Sequence, residues 1–433
     1  MRKRFSRSIM TRISVPIILA LLVGACLNDN SSVNPGTGGT HSVTGRVVGA
    51  NGQPIPEVPV VVPGHPPSVT DGNGYFTITN VSSPYTLVVV DGKYKRALVY
   101  RGLTRPDPTL TWLGSSPGTP HEGTLQGSLI PWSSVSPGVR ATARVAFSSS
   151  AVASDAAVNL DSGSFSLHNS WFGPPSITGT IYALTWTYDV NNLPTTFEYF
   201  GRRTNVPLGA GQTNTNQDDT LNVVPTGFVS GTTSVPAGYT ITSLRVYAVF
   251  ESRAGIMVLN DFSPSPSFFY SAPGVPGVTL MLLTIASKPS GEIVESFISG
   301  LPVSASNVAV QLPAAPGLIL PIDNASGVNS RTPFMWTPSS GGVHLLEINS
   351  SAPGASTFII LTSALQDSIP DLSWAGLSLP LSTAYQWAVL RIAPFASVDA
   401  AAGPSGTLQF VANPYAFTGF YQSSATRAFT TAP

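Results

Sequence analysis

Val43-Thr44-Gly45-Arg46-Val47-Val48-Gly49-Ala50-Asn51-Gly52-Gln53-Pro54-Ile55-Pro56-Glu57-Val58-Pro59-Val60-Val61-Val62 is the stretch that decides the fold. Residues 43–48 alternate apolar and polar side chains, the period of a half-buried strand. Asn51-Gly52 supplies the positive backbone angles of a tight hairpin. The second limb is rich in valine, and its prolines, which cannot donate to a ladder, suit an edge strand. Working outward, Asp71-Gly72-Asn73-Gly74 is another turn, and Tyr75-Phe76-Thr77-Ile78 and Tyr85-Thr86-Leu87-Val88-Val89-Val90 are two more strands. Short β-branched runs between Gly/Pro turns predict an all-β sandwich.

The spacing of Gly45-x-Val47, the turn from Asn51 to Ile55, the Asp71–Phe76 hairpin and the closing Tyr85-x-Leu87-x-Val89 resembles the carboxypeptidase regulatory-like (transthyretin-like) β-sandwich family over residues 41–110. The resemblance implies an accessory or binding module, not a particular ligand. A domain this small buries only about 60% of its unfolded surface, so it is expected to pack against a neighbour.

The rest of the chain reads as further modules of the same class. Residues 111–120 (TWLGSSPGTP) form a linker. Residues 121–224 repeat the strand logic, with Gly123–Leu129, a Ser162–Leu167 hairpin and a long Thr180–Tyr188 strand, and are expected to form a second transthyretin-like sandwich. Residues 225–313 contain strands over Ile241–Phe250 and Val278–Ala286 but no motif that types them, so a β-sandwich is the default. In residues 314–433, Trp336 in an early strand, Leu377-x-Leu379, Tyr385-Gln386-Trp387-Ala388-Val389 and the closing Phe429-Thr430-Thr431 resemble a fibronectin type III domain. The resemblance implies that Tyr385 is the corner tyrosine. Ala393 to Thr426 is longer than that family usually has, and predicts elaborated last strands. Fold class is therefore all-β: tandem sandwiches of transthyretin-like and immunoglobulin-like type. Outside the N-terminal segment no window has sustained helical periodicity.

That segment carries Arg2, Lys3, Arg4, Arg7 and Arg12, then an apolar run from Ile13 to Val23 and the small residues Gly24 and Ala25 before Cys26, the only cysteine in 433 residues. This is the layout of an export signal; the apolar run is too short for the roughly 20 residues of a membrane-spanning helix. Val23-Gly24-Ala25-Cys26 resembles the bacterial lipoprotein lipobox. By that resemblance, residues 1–25 are a cleaved signal peptide, Cys26 is lipidated, and residues 26–40, small and polar, are a flexible tether. Leu27, in place of the aspartate that retains lipoproteins in the inner membrane of enteric bacteria, points to the outer membrane. Multiple acyl chains anchor far more firmly than one.

Composition narrows function. The whole chain holds 21 basic and 21 acidic residues; the signal takes five basic and no acidic ones, leaving 16 against 21 and a net charge near −5. A basic face for nucleic acid is not expected. Charged residues are only 10% of the chain, so Ser, Thr, Asn and Gln must cover much of the surface.

Catalytic and metal motifs are partial. Gly114-Ser115-Ser116-Pro117-Gly118 fits the G-x-S-x-G elbow but lies in a Gly/Pro linker with no following helix. His344-Leu345-Leu346-Glu347 has the spacing of a zinc pair, yet residues three apart on a strand point to opposite faces. His41, His65, His121 and His168 are scattered singly. Asn214-x-Asn216-x-Asp218 has calcium-loop spacing, but position six is Asp219 and position twelve Pro225, so a polar hairpin tip is expected. Aromatic groups remain as binding candidates: Trp171-Phe172, Phe197/Tyr199/Phe200, Phe268-Phe269-Tyr270 and, foremost, Tyr415, Phe417, Phe420 and Tyr421. Flat rings can stack on sugars, although in β-proteins they are usually core.

The sequence thus predicts a non-enzymatic, lipid-anchored envelope protein for adhesion, scaffolding or recognition, its modules extending outward from the membrane. It predicts no catalytic residues, no cofactor and no metal. Its expected partners are the membrane, through the lipid, and an envelope protein or glycan. Carbohydrate binding is the first alternative, favoured by exposed aromatics on one sheet face. An enzyme with an unrecognised site in 225–313 is the second.

Overall fold

The computed structural model describes residues 39–49, 52–112, 119–132, 139–250, 254–338, 342–406 and 414–433. The lipidation site Cys26, the signal and most of the tether, and Gly114–Gly118 lie outside the described residues. Among the described residues strands hold 59% and helix 2%, so the fold is all-β.

The N-terminal strand Thr40–Val48 pairs antiparallel with Tyr75–Ser82 and parallel with Thr109–Thr111. Its alternation becomes burial: Val43 and Val47 are fully enclosed while Thr44 faces out. The opposing sheet contains Pro59–Val61, Tyr85–Asp91 and Arg96–Leu103. Within this first sandwich Leu87, Val89, Leu98 and Tyr100 join Val43, Val47 and Phe76 in one core.

The other face of that sheet is buried as well. Val88, Val90, Ala97 and Val99 belong to the core of the last sandwich, with Phe334, Trp336, Phe358, Ile360, Tyr385 and Trp387. Strand Arg96–Leu103 runs parallel to Thr357–Thr362, with Ala97 opposite Phe358 and Val99 opposite Ile360. This explains why residues 87–90 are a continuous apolar run rather than an alternating one: both faces are covered. At roughly 1.5–3 kcal/mol per fully buried valine, this second face contributes several kcal/mol as an upper bound. The small first module does pack on a neighbour, and that neighbour is the sandwich at the far end of the chain. The modules are therefore not simply strung outward in sequence order.

The junction between the second and third modules is a shared core too. In the second module, Ser176–Tyr188 pairs with both Ala141–Ser149 and Pro194–Gly209. One side of it, Ile181 and Ala183, packs with Phe147, Leu167 and Trp171. The other side, Tyr182, Leu184 and Trp186, packs with Val229, Phe250 and Leu282 of the third module. Tyr182 stacks on Phe250 at 4.8 Å and 11°. The third module is a sandwich of a three-stranded sheet (Ser267–Pro273, Thr226–Ser234, Ala305–Gln311) and the strands Ala254–Asp261, Thr240–Phe250, Thr279–Ser287 and Ile293–Pro302. Ile293–Pro302 pairs with Gly419–Ser423, which pairs in turn with Ala384–Ala393. One 14-stranded sheet consequently runs through the third, last and first sandwiches.

The long segment after Ala393 contains the one helical turn with α geometry among the described residues, Val398–Ala401. Ser397 caps it, accepting from the Ala400 N–H. Val398, Ala401 and Ala402 enter the first sandwich's core.

Candidate functional site

Tyr415, Phe417, Phe420 and Tyr421 gather at the seam between the third and last sandwiches. Phe417 is buried edge-on against Phe297, at 5.8 Å and 71°, beside Val249, Met281 and Leu283. Tyr415 is half-buried, tilted against Tyr247 at 5.6 Å, and its hydroxyl donates to the Gly255 carbonyl at 3.4 Å. Phe420 stands opposite Ser296 and Ala393, and Tyr421 opposite Glu295 and Ile392. Burial raises the hydroxyl pKa of both tyrosines, Tyr421 further through Glu295 and Glu347. Burial also raises the Glu295 carboxyl, opposed by Arg245. Tyr415, Phe417 and Tyr421 join the two sandwiches in one cluster, whereas Phe420, next to Tyr421 on the strand, points to the other face. None of the four is among the most exposed hydrophobic side chains.

His344 and Glu347 lie on opposite faces of Val343–Asn349. His344 is buried with Leu346 on the core side, its ring tilted against Trp336 at 5.6 Å. Burial, and then the nearby Arg391 charge, push its pKa down to about 4, so it is neutral at physiological pH. Glu347 accepts from Asn349 on the other side at 3.1 Å. Behind His344, Arg391 donates to Gln422 at 2.6 Å, and Gln422 donates to the Ala314 carbonyl at 2.8 Å. This buried network fastens the segment that joins the third and last modules. Among the described residues no group of three or more His, Cys, Asp or Glu is placed to hold a metal.

The 214–218 segment edges an open groove of about 620 Å³ in the second module, lined by polar residues including Gln126, Ser128, Asn159, Ser166 and Asn216. A side chain at Gly127 would strike the Gln217 backbone at 2.5 Å, so glycine permits the segment's close approach. The would-be calcium ligands are otherwise engaged. Asn214 Nδ2 donates to the Pro207 carbonyl at 2.6 Å, and Asp218 Oδ1 accepts from the Ser128 N–H at 2.8 Å. The Asn216 and Asp218 carbonyls both accept from the Arg203 guanidinium, at 3.1 and 2.8 Å. A cation bound to those oxygens would have to displace an arginine.

Asp219, next in sequence, was not singled out by its residue type, yet it is buried. Its Oδ2 has no hydrogen-bond partner among the described residues. Desolvation lifts its pKa to about 7, with the Thr220 backbone and the Arg203 charge pulling the other way. A Cβ at Gly201 would stand 2.6 Å from that oxygen.

The remaining aromatic candidates divide. Trp171, Phe197, Phe268 and Tyr270 are buried. Phe269, between two buried rings, is 68% exposed. It stacks on the half-buried Phe228 of the adjacent strand at 5.2 Å and 18°. No helix among the described residues is long and apolar enough to cross a membrane.

These features define a multi-sandwich all-β protein joined through shared cores. No family model matches the chain, and no curated protein matches it. Among solved structures, the chain is similar to the Bacillus anthracis TIE protein at 9% identity and a TM-score of 0.16, over 63% of this chain and 50% of that one. The chain thus spans half the length of that structure. It is similar to BcpA, the major pilin subunit of Bacillus cereus, at 10% identity and a TM-score of 0.13, over 63% of this chain and 99% of that one. It is also similar to a tetra-tandem repeat in the extending region of a large adhesion protein, at 10% identity and a TM-score of 0.15, over 90% and 99%. At such scores function must be argued from the chain's own residues.

Proposed function

We propose that this chain is a non-enzymatic, lipid-anchored protein of the bacterial cell envelope, probing or presenting a partner with sandwiches that act as one body. The observation that carries the reading is the closure of the first sandwich onto the last. Strand pairing from Arg96 to Tyr100 with Thr357 to Leu361, and the burial of Val88 and Val99 in the distal core, make the module nearest the anchor part of a larger body. A lipid on Cys26 would hold that body through the residues leading to Thr40, a reach of at most about 50 Å. The lipobox-like Val23-Gly24-Ala25-Cys26, with Leu27 after it, supports outer-membrane anchoring. The transthyretin-like motif of residues 41–110 and the fibronectin-like frame around Trp336, Tyr385 and Trp387 support the same class, since such modules serve recognition on many proteins.

The test is fractionation of cells of a double-membrane bacterium expressing the full chain, with intact-mass analysis of the product. The expected product begins at Cys26, carries acyl mass and sediments with outer membranes; Cys26→Ser is released or left uncleaved. An unacylated wild-type chain, or one cleaved elsewhere, would overturn lipid anchoring.

A further inference from the structure

We propose that the outer face of the paired strands Thr226–Ser234 and Ser267–Pro273 is a docking platform for an uncharged polysaccharide. In this antiparallel pair Phe228 stands opposite Ser271, Ser230 opposite Phe269 and Thr232 opposite Ser267. Alternation places these six side chains on one face, while Val229, Phe268 and Tyr270 point into the core. Two stacked rings thus rise from paired strands whose other outward side chains here are hydroxyls, and the third strand adds Ala309 and Gln311 beside Thr232 and Ser234.

Three properties select the occupant. First, the three strands of this sheet contain no Asp, Glu, Lys, Arg or His, so the face complements a neutral partner and offers nothing to pair with a charged one. Second, ring faces cover the apolar C–H face of a sugar, while Ser230, Thr232, Ser267 and Ser271 supply hydroxyls that donate and accept, as sugar hydroxyls require. Third, the area is small. Two large aromatic side chains offer at most about 150–250 Å² each, against roughly 800 Å² per partner in a stable protein interface. A second copy of this chain is correspondingly a poor fit, and a row of outward side chains along paired strands suits an extended polymer. The proposal is independent of how the chain is anchored.

The full chain, solubilised in detergent, is to be co-sedimented with insoluble cellulose, chitin and β-1,3-glucan. Saturable binding to at least one polymer is expected, unchanged from low to high salt because no charge takes part. Phe269→Ala should weaken it about tenfold, the scale of one stacking contact, and Phe269→Trp should preserve it. Tyr415→Ala should leave it unchanged. Thermal melting confirms that the variants fold, and Ser230→Glu, which puts a charge beside the ring, provides a second route to loss. Absence of binding to all three polymers, binding indifferent to Phe269→Ala, or steep salt dependence would overturn the proposal. So would sedimentation-velocity evidence that Phe269 supports self-association instead.

Discussion

Thr104 and Asp399 lie 295 residues apart, and the Asp399 carboxylate accepts from both the backbone N–H of Thr104, at 2.8 Å, and its hydroxyl, at 2.5 Å. The same carboxylate accepts from the Arg105 N–H at 3.1 Å, and the Arg105 guanidinium donates back to the Asp399 carbonyl at 3.0 Å. Asp399 also sits in the first turn of the short helix, where a negative charge is favoured. One side chain therefore ties the exit of the first sandwich to the last module. Asp399→Ala should cost about 1–2 kcal/mol, the usual loss for removing a cap-like acceptor from backbone donors. Hydrogen exchange of Arg96–Leu103 and Thr357–Thr362 should quicken together. Unchanged exchange in both strands would show that the strand pairing holds without the clamp.

Val99 tests whether the sandwiches fold as one body. It is fully buried in the last sandwich's core although its strand belongs to the first. Val99→Ala should cost about 2 kcal/mol as a large-to-small core change. Val99→Asp should separate the two sandwiches and expose the Thr357–Thr362 edge, a template for aggregation. Urea unfolding followed separately at the first and last modules reads the outcome. If Val99→Asp lowered only the first module's midpoint and left the last one unchanged, the shared core would not couple them.

Much of this architecture is legible in the sequence because its signals are local. The alternation in Val43–Val48 and the long Thr180–Tyr188 strand report a half-buried period or an apolar run, and neither needs knowledge of distant residues. The Leu87–Val90 run marks a strand, but neither that both its faces are buried nor what covers the second one. That cover is Phe358 and Ile360, far away in sequence, and no spacing rule names a partner across such a distance. The site was legible in part for the same reason. Phe268-Phe269-Tyr270 marks an aromatic strand, but only the folded sheet, which buries Phe268 and Tyr270, shows that Phe269 is the ring turned outward. Tyr415 to Tyr421 gave the same compositional signal and pack at a seam. Asp219 differs from Asp218 in sequence by nothing but position, and only the fold shows that Asp219, which opens the strand Asp219–Val223, is the buried one.

Asp219 makes stability depend on pH in a defined direction. Its folded pKa, about 7, is above that of an unfolded aspartate, so the folded state holds the proton more tightly. The stabilisation from that proton is fully present below about pH 4 and is lost as pH rises through about 7. Asp219→Asn, which keeps the shape without the charge, should be more stable than the parent at pH 8, on the order of 2 kcal/mol, and nearly equal to it at pH 4. Urea denaturation of both chains across pH 4–8 measures the difference. Gly201→Ala should destabilise at every pH, because its Cβ would meet the same carboxylate at 2.6 Å.

His344 acts in the opposite sense. Its folded pKa, about 4, is below the ordinary 6.5, so the unfolded chain takes up the proton first. Its contribution is present above about pH 6.5 and is lost as pH falls toward 4, on the order of 2 kcal/mol over the window. His344→Gln should flatten that part of the profile, so the difference between parent and variant grows less unfavourable to the variant as pH falls. Carboxylates elsewhere titrate in both chains and cancel in the comparison. Nuclear magnetic resonance of the His344 ring should show no titration between pH 8 and 5.5. Because Glu347 lies on the opposite face of the strand, adding zinc should leave the melting temperature unchanged in both chains. A zinc-dependent rise in the parent that disappears in His344→Gln would mean that the ring can leave Trp336 and reach a metal.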